Sequence, residues 1–326
     1  MKRLGASLVL LAVLAALAAP ELAPTSDIET QHRSLLNVPP TRLHVRDATG
    51  AWRAPFVYRW RVVSQLEGRY EEDQSAPVAL RWFADGRLVA SSNTERAPLL
   101  LLGTDSLGRD VFSRLLFGAR TSLGVALVAA LGAMFIGVTL GAVAGYAGGM
   151  LDDLLMRATD FVLVLPAIYI ALALRSVLPL VLSPWTVFAL LVGIFAVVGS
   201  PFLARGVRAI VRTERALDYA AAARATGAGH ARVLVAHLMP AARGFVFVEM
   251  TLLIPAFIIA EATLSYIGLG FPDGVASWGT MLRDAANVQL FSDFPWLLSP
   301  AVAIFTFVFG LNIALQDHTT GVESVR

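Results

Sequence analysis

The chain has 326 residues, 56% of them hydrophobic and 15% charged, and its mean hydropathy is +0.67. A soluble domain carries roughly a quarter of its residues as charges, so a wholly soluble protein is excluded and the apolar excess belongs in lipid. A net charge of +2 gives no field for nucleic acid, and the lack of cysteine removes disulfides and thiolate metal sites; Lys2 is the only lysine, so no Walker-type phosphate loop exists and any ATP is bound by another chain.

Met1-Lys2-Arg3 precedes an apolar run over residues 8–19, closed by Pro20. A cleaved signal peptide and a retained first span both fit this pattern. Residues 23–98 regain charge. Within them, residues 56–63 and 78–91 read as strands, the second stretch folded about an Asp85-Gly86 turn. Trp52, Phe56, Tyr58, Trp60, Trp82 and Phe83 argue for an ordered β-containing insert, since disordered segments are poor in aromatics. Further spans are expected at residues 123–146, 161–182 (interrupted by Pro166 and Pro179), 186–203, 245–267 and 297–315. Gly137, Gly141 and Gly145 recur every fourth residue and predict a groove where another helix approaches closely.

The expected fold is therefore an all-α polytopic membrane protein of six transmembrane helices, with a small β-containing external insert between spans 1 and 2. Its parts are a first span at 1–22, the insert at 23–98, a core at 99–318 with five spans and a loop at 205–243, and a tail at 319–326. Loop 205–243 holds seven arginines against Glu214 and Asp218, a net of 7 − 2 = +5, and residues 268–296 hold Arg283 against three aspartates, a net of 1 − 3 = −2. The positive-inside rule places the first loop, and with it both termini, in the cytoplasm; Arg175 argues weakly the other way.

Of the five histidines (His32, His44, His230, His237 and His318), none forms a zincin motif, and no nucleophile elbow occurs. Glu249 and Glu261 are the intramembrane acids, both on the fifth span. Twelve residues apart, they are separated by about 18 Å along a helix and cannot act as one carboxylate pair. A structural hydrogen-bond role fits them better than a proton relay, because no third acid or histidine completes a chain. In the basic loop, residues 216–226 have high helix propensity, Gly227-Ala228-Gly229 breaks the helix, and a second short helix over 231–239 is expected to stop at Pro240. A solvated basic loop would explain the arginines, but not four consecutive alanines, Ala220 to Ala223, which suit the groove of a partner.

The stretch DYAAAARATGAGHARVLVAHLMP (218–240) resembles the EAA loop of ABC importer permeases, with Ala222, Ala223, Gly227 and Pro240 in register. Ala221 stands at the position of the family's glutamate and His237 at that of its isoleucine. The stretches LLGTDSLGRDVFSRLLFGARTSL (101–123), GYAGGMLDDLLMRATDFVLVLP (145–166) and EATLSYIGLGFPDGVASWGTML (261–282) are similar to the dipeptide/oligopeptide/nickel importer family, second-permease-subunit type. The C-terminal ALQDHTTGVESVR departs from that family's pattern, and the insert is longer than this subunit type leads one to expect.

The resemblance implies a type I permease fold in a bacterial inner membrane, forming half of a channel with a homologous second permease. It implies two cytoplasmic ATPase subunits that bind ATP and Mg, an extracytoplasmic solute-binding protein, and no cofactor, metal or catalytic residue in this chain. Ala222, Ala223, Gly227 and Pro240 would serve coupling to the ATPases; Glu261 and Glu249 would serve the translocation path or its structure. Di- and oligopeptides are the expected solute, with nickel chelates or other small solutes as alternatives. Two other classes stand against this: a membrane-anchored external enzyme or secretion factor, which needs a catalytic constellation in 23–98 that is not there, and a gradient-driven transporter, which needs more intramembrane charge or an inverted repeat.

Overall fold

The computed structural model describes residues 2–25, 28–64, 68–84, 86–177, 182–286 and 293–320. Asp85 of the expected turn, Pro179 and the tail from 321 onward lie outside them. The chain divides into two compact units, Met1–Ser122 with Ser265–Arg326, and Leu123–Leu264.

In the first unit, α1 (Lys2–Leu17) and α2 (Ala19–Leu22) precede a four-stranded antiparallel sheet of order β1-β2-β3-β4: His44–Arg46, Trp52–Ser64, Arg69–Ala84 and Arg87–Ser91. Strand β2 does not alternate cleanly. Phe56, Val57 and Tyr58 are all buried, and the register slips beside them, between Val57 and Arg59. Between those pairs β2 advances two residues and β3 five, so the extra residues bulge out of β3 and the regular ladder is interrupted beside Tyr58. Val57 packs with Ala97 and Leu99, while Trp60 packs with Leu35, Val38 and Leu100. The unit also holds the first turns of α3 (Val111–Ala147), then α10 (Trp278–Asp284), a 3-10 turn at Pro295–Leu298, and α11 (Ser299–Thr320).

Helix α1 docks along α11 through glycines. A Cβ on Gly5 would lie 2.5 Å from the Gly310 carbonyl oxygen, and one on Gly310 would lie 2.9 Å from Leu8 Cβ. Such contact is how helices associate in lipid, where apolar surface alone gives no driving force.

The second unit contains the rest of α3, then α4 (Gly149–Val164), α5 (Ala167–Val177), α6 (Pro184–Arg215), α7 (Asp218–Ala225), α8 (His230–Arg232), a π-helical turn (Val233–Leu238) and α9 (Met239–Tyr266). The glycine groove receives α6. Added Cβ atoms on Gly137, Gly141 and Gly145 would meet the Ser200, Ala204 and Arg208 carbonyl oxygens at 2.6, 2.3 and 2.7 Å.

Among the described residues four helices are long and apolar enough to cross a membrane: Val111–Ala147, Pro184–Arg215, His230–Tyr266 and Pro295–Leu315. The first and third expected spans are shorter here. Helix α1 has 16 residues and α5 has 11. The third breaks at Leu165, whose ψ of 109° is extended, because the residue before a proline avoids helical geometry.

The fourth span corrects the expected boundary at Leu203: α6 runs on to Arg215, so residues 205–215 are helix and not loop. Pro201 offers no N–H to the Val197 carbonyl four residues back. The Ser200 hydroxyl donates to that carbonyl at 2.9 Å, which lets the helix continue. The second correction is at Pro240, which does not stop a helix but sits in the first turn of α9. The π turn immediately before it widens the backbone where the proline ring would crowd the preceding carbonyl.

Candidate functional site: the α7 platform

Helix α7 lies on an apolar cluster made by the ends of four elements. Ala142 of α3, Val207 and Val211 of α6, Val233 and Leu238 of the π turn and Ala242 of α9 are buried together with Ala220 of α7. Ala223 and Ala228 pack against the same cluster. The other side of α7 carries Ala221, Ala222, Arg224 and Ala225, all exposed. The four alanines therefore divide: Ala220 and Ala223, three apart, face inward, and Ala221 and Ala222 face out.

The helix ends in a Schellman motif. The Ala228 N–H donates to the Ala223 carbonyl at 3.1 Å and the Gly227 N–H to the Arg224 carbonyl at 3.0 Å. Gly227 adopts a φ of +87°, and no atom lies within 4 Å of where its Cβ would be. Glycine is needed here for its backbone conformation, not for close approach. The Thr226 hydroxyl shares its proton between Ala223 O at 3.0 Å and Ala222 O at 3.2 Å, adding to the backbone bonds that both carbonyls already accept.

Polar contacts fix the surroundings. Tyr219 Oη donates to Glu214 at 2.5 Å, and that carboxylate, helped by desolvation, pushes the phenol up to about 12. Tyr146 Oη and His230 Nδ1 are 2.7 Å apart, and the Arg215 guanidinium donates to the Tyr146 carbonyl. Arg208 makes a two-pronged pair with Asp152, its Nη2 at 2.6 Å from Oδ2, and Arg205 pairs with Asp160. Two of the seven arginines counted for the basic loop are thus held on α6 by acids of α4.

The structure therefore separates the residues marked in the sequence. Ala222 is exposed on α7, Ala223 is half-buried beneath it, Gly227 closes the helix, and Pro240 is half-buried in the first turn of α9. Glu249 is half-buried and Glu261 completely buried. The two acids are not brought together.

In the first unit, sequence reasoning missed a polar constellation. Arg109 donates through Nε to Asp105 Oδ2 at 2.7 Å, through Nη2 to Asp284 Oδ2 at 2.6 Å, and through Nη1 to the Asp273 carbonyl at 3.3 Å. Arg114, only 1% exposed, reaches Asp284 at 3.2 Å and Asp105 at 3.7 Å. The Asp105 carboxylate also accepts from the Leu107 and Arg109 backbone N–H groups, each at 2.9 Å. Asp110 caps α3. It accepts from the Phe112 and Ser113 N–H groups at 3.1 and 3.2 Å and from the Ser113 hydroxyl at 2.5 Å. Burial outweighs those bonds and pushes its carboxyl up to about 6. The available signals were the Asp105/Arg109 spacing of four and an aspartate followed by Ser113 at a helix start.

Residues 137–316 match the family described as "Binding-protein-dependent transport system inner membrane component". The chain is 38% identical over 212 residues to the oligopeptide transport system permease protein OppC of Bacillus subtilis, covering 65% of this chain and 67% of that protein. It is 38% identical over 218 residues to the dipeptide transport system permease protein DppC of Bacillus subtilis, covering 66% of each. The glutathione transport system permease protein GsiD of Pectobacterium atrosepticum is 35% identical over 212 residues, with coverage of 65% and 68%.

Proposed function

The chain belongs to the family of binding-protein-dependent transport system inner membrane components, and from that premise we propose that it is the permease subunit of a peptide-importing ABC transporter. It forms half of the translocation path with a homologous permease. Two cytoplasmic ATPase subunits bind ATP and Mg, and a solute-binding protein delivers peptide from outside. Oligopeptide, dipeptide and glutathione permeases among the relatives support the solute class.

The observation that carries this reading is the two-sided α7. Its exposed face sets the small side chains of Ala221, Ala222 and Ala225 beside one cation, Arg224, a surface that suits an ATPase groove, and its inner face rests on residues of α3, α6 and α9. A push on α7 is passed to all three helices together. The glycine-mediated contact between α3 and α6 keeps that pair from yielding, because backbone meets backbone with no flexible side chain between. The chain does no covalent chemistry; it converts closure of the ATPases into rocking of its helices. In this reading α1 and α5 complete six spans, both termini are cytoplasmic, the sheet of β1–β4 is external, and Glu261 serves as a buried hydrogen-bonding group.

Two experiments test it. A chain free of cysteine allows single cysteines to report topology: Gln74→Cys in β3 is expected to react with a membrane-impermeant thiol reagent in intact cells, and Thr213→Cys near the end of α6 is not. In vesicles holding the complete transporter, Ala222→Trp is expected to lose ATPase co-purification and peptide uptake while the spans stay inserted. Full uptake with Ala222→Trp would overturn the coupling role.

A further inference from the structure

Helices α3 and α9 leave a groove of about 400 Å³ on the second unit, lined by Met134, Phe135, Met239, Phe247 and Met250, with Arg243 among them. Phe135 and Phe247, 71% and 55% exposed, lie along the groove's edge. Arg243 is exposed and, among the described residues, makes no ion pair.

We infer that this groove is a binding site for an anionic phospholipid, with one acyl chain along the methionines and phenylalanines and the phosphate on Arg243. The inference rests on the membrane-spanning reading of α3 and α9 and is independent of the solute. The groove lies on two helices whose length and hydropathy suit a bilayer, so its natural neighbours are lipid chains. A peptide segment would bury backbone N–H and C=O groups there with almost nothing to bond, and each unpaired group opposes binding. A hydrocarbon chain has no such groups to satisfy.

Three methionines give an unbranched, polarizable wall that adapts to a mobile chain. Arg243 supplies the charge complementarity. Its sequence position, two residues before the apolar run that opens at Phe245, puts the guanidinium at the interfacial end of the helix, where a long stem keeps its charge near headgroup level. A zwitterionic lipid offers the same phosphate but sets a second cation beside it, whereas an anionic headgroup matches the guanidinium in net charge as well as in hydrogen-bonding shape.

The test uses the complete transporter purified from membranes and exchanged into vesicles of phosphatidylglycerol or phosphatidylcholine with matched acyl chains. Lipid retained after mild extraction is counted by native mass spectrometry. Retention of phosphatidylglycerol is expected to exceed that of phosphatidylcholine by about fivefold, the factor for one basic residue near an anionic surface. Arg243→Gln is expected to bring the ratio to parity, and Met250→Trp, which fills the groove, to lower retention of both lipids. Parity in the wild type, a preference that survives Arg243→Gln, or efficient cross-linking of Phe247→Cys to the partner permease would overturn the site. Peptide uptake read on the same vesicles keeps the two conclusions apart. Normal uptake with lipid parity removes the lipid site alone, and a lipid preference without uptake removes the transport reading alone.

Discussion

The charged groups at residues 105–114 and those at residues 205–224 are of the same chemical kinds in opposite surroundings. Arg109 and Arg114 are 3% and 1% exposed, and they share Asp105 and Asp284 as partners. The side chains of Arg205 and Asp160 are 47% and 57% exposed, and each has water as an alternative partner. The first arrangement is a clamp that ties the start of α3 to the end of α10. In the second, apolar contacts hold the platform under α7, and Arg205 and Arg208 pair with Asp160 and Asp152 beside it. The clamp is held by shared buried charge, and the platform by the packing of small and apolar side chains.

That contrast breaks most visibly under deletion of one carboxylate. Asp284→Ala leaves two buried guanidinium groups with one partner fewer, and loss of a buried partner costs about 3–5 kcal/mol. Asp160→Ala removes an exposed pair and is expected to cost about 0–1 kcal/mol. Thermal unfolding of the purified complex, followed with membrane yield, separates the two. Equal effects would mean that the clamp is not the stronger arrangement.

A pH series sharpens the same contrast. The carboxyl of Asp110 is pushed up to about 6 in the fold from an ordinary 3.8. The native state therefore holds the proton more tightly than the unfolded chain. The resulting stability is complete below about pH 3.8 and is lost as pH rises through about 6, by an order of magnitude of 3 kcal/mol. Asp110→Asn keeps an oxygen to cap α3 and carries no charge, so its stability profile over that window is expected to be flatter. An unchanged slope would place the titration elsewhere.

A smaller effect is expected at the platform. Gly227→Val forces a β-branched residue to a φ of +87°, at about 1–3 kcal/mol, whereas Gly227→Asn, which tolerates that region, is expected to retain most coupled uptake. Because no atom crowds the position, the two variants separate backbone conformation from space. Equal loss in both would point to a packing role that the open surroundings do not support.

The long apolar helices were legible from composition, and the spacing of Gly137, Gly141 and Gly145 announced a close helix contact, though not that α6 makes it. Gly227 as a helix terminator was legible from the alanine run before it. The continuation of α6 past Pro201 was not, since it depends on the Ser200 hydroxyl satisfying the Val197 carbonyl. Nor was the π turn ahead of Pro240, where tertiary packing of Val233 and Leu238 prevails over a strong stop signal. Ala222 and Ala223 are adjacent and chemically identical, so only the orientation of α7 assigns one to the outside and the other to the core. The clamp was hidden because arginines and aspartates in a row read as a wetted loop until the fold buries them.

That assignment of faces is the central claim, and single cysteines test it directly. In the assembled transporter, Ala222→Cys is expected to cross-link to an engineered cysteine in the ATPase groove and to react with a soluble thiol reagent when the ATPase is removed. Ala223→Cys, packed on the cluster of Val207, Val211 and Leu238, is expected to do neither at a comparable rate. Cross-linking at Ala223 that equals or exceeds that at Ala222 would contradict the account, because α7 would then present its other face to the partner.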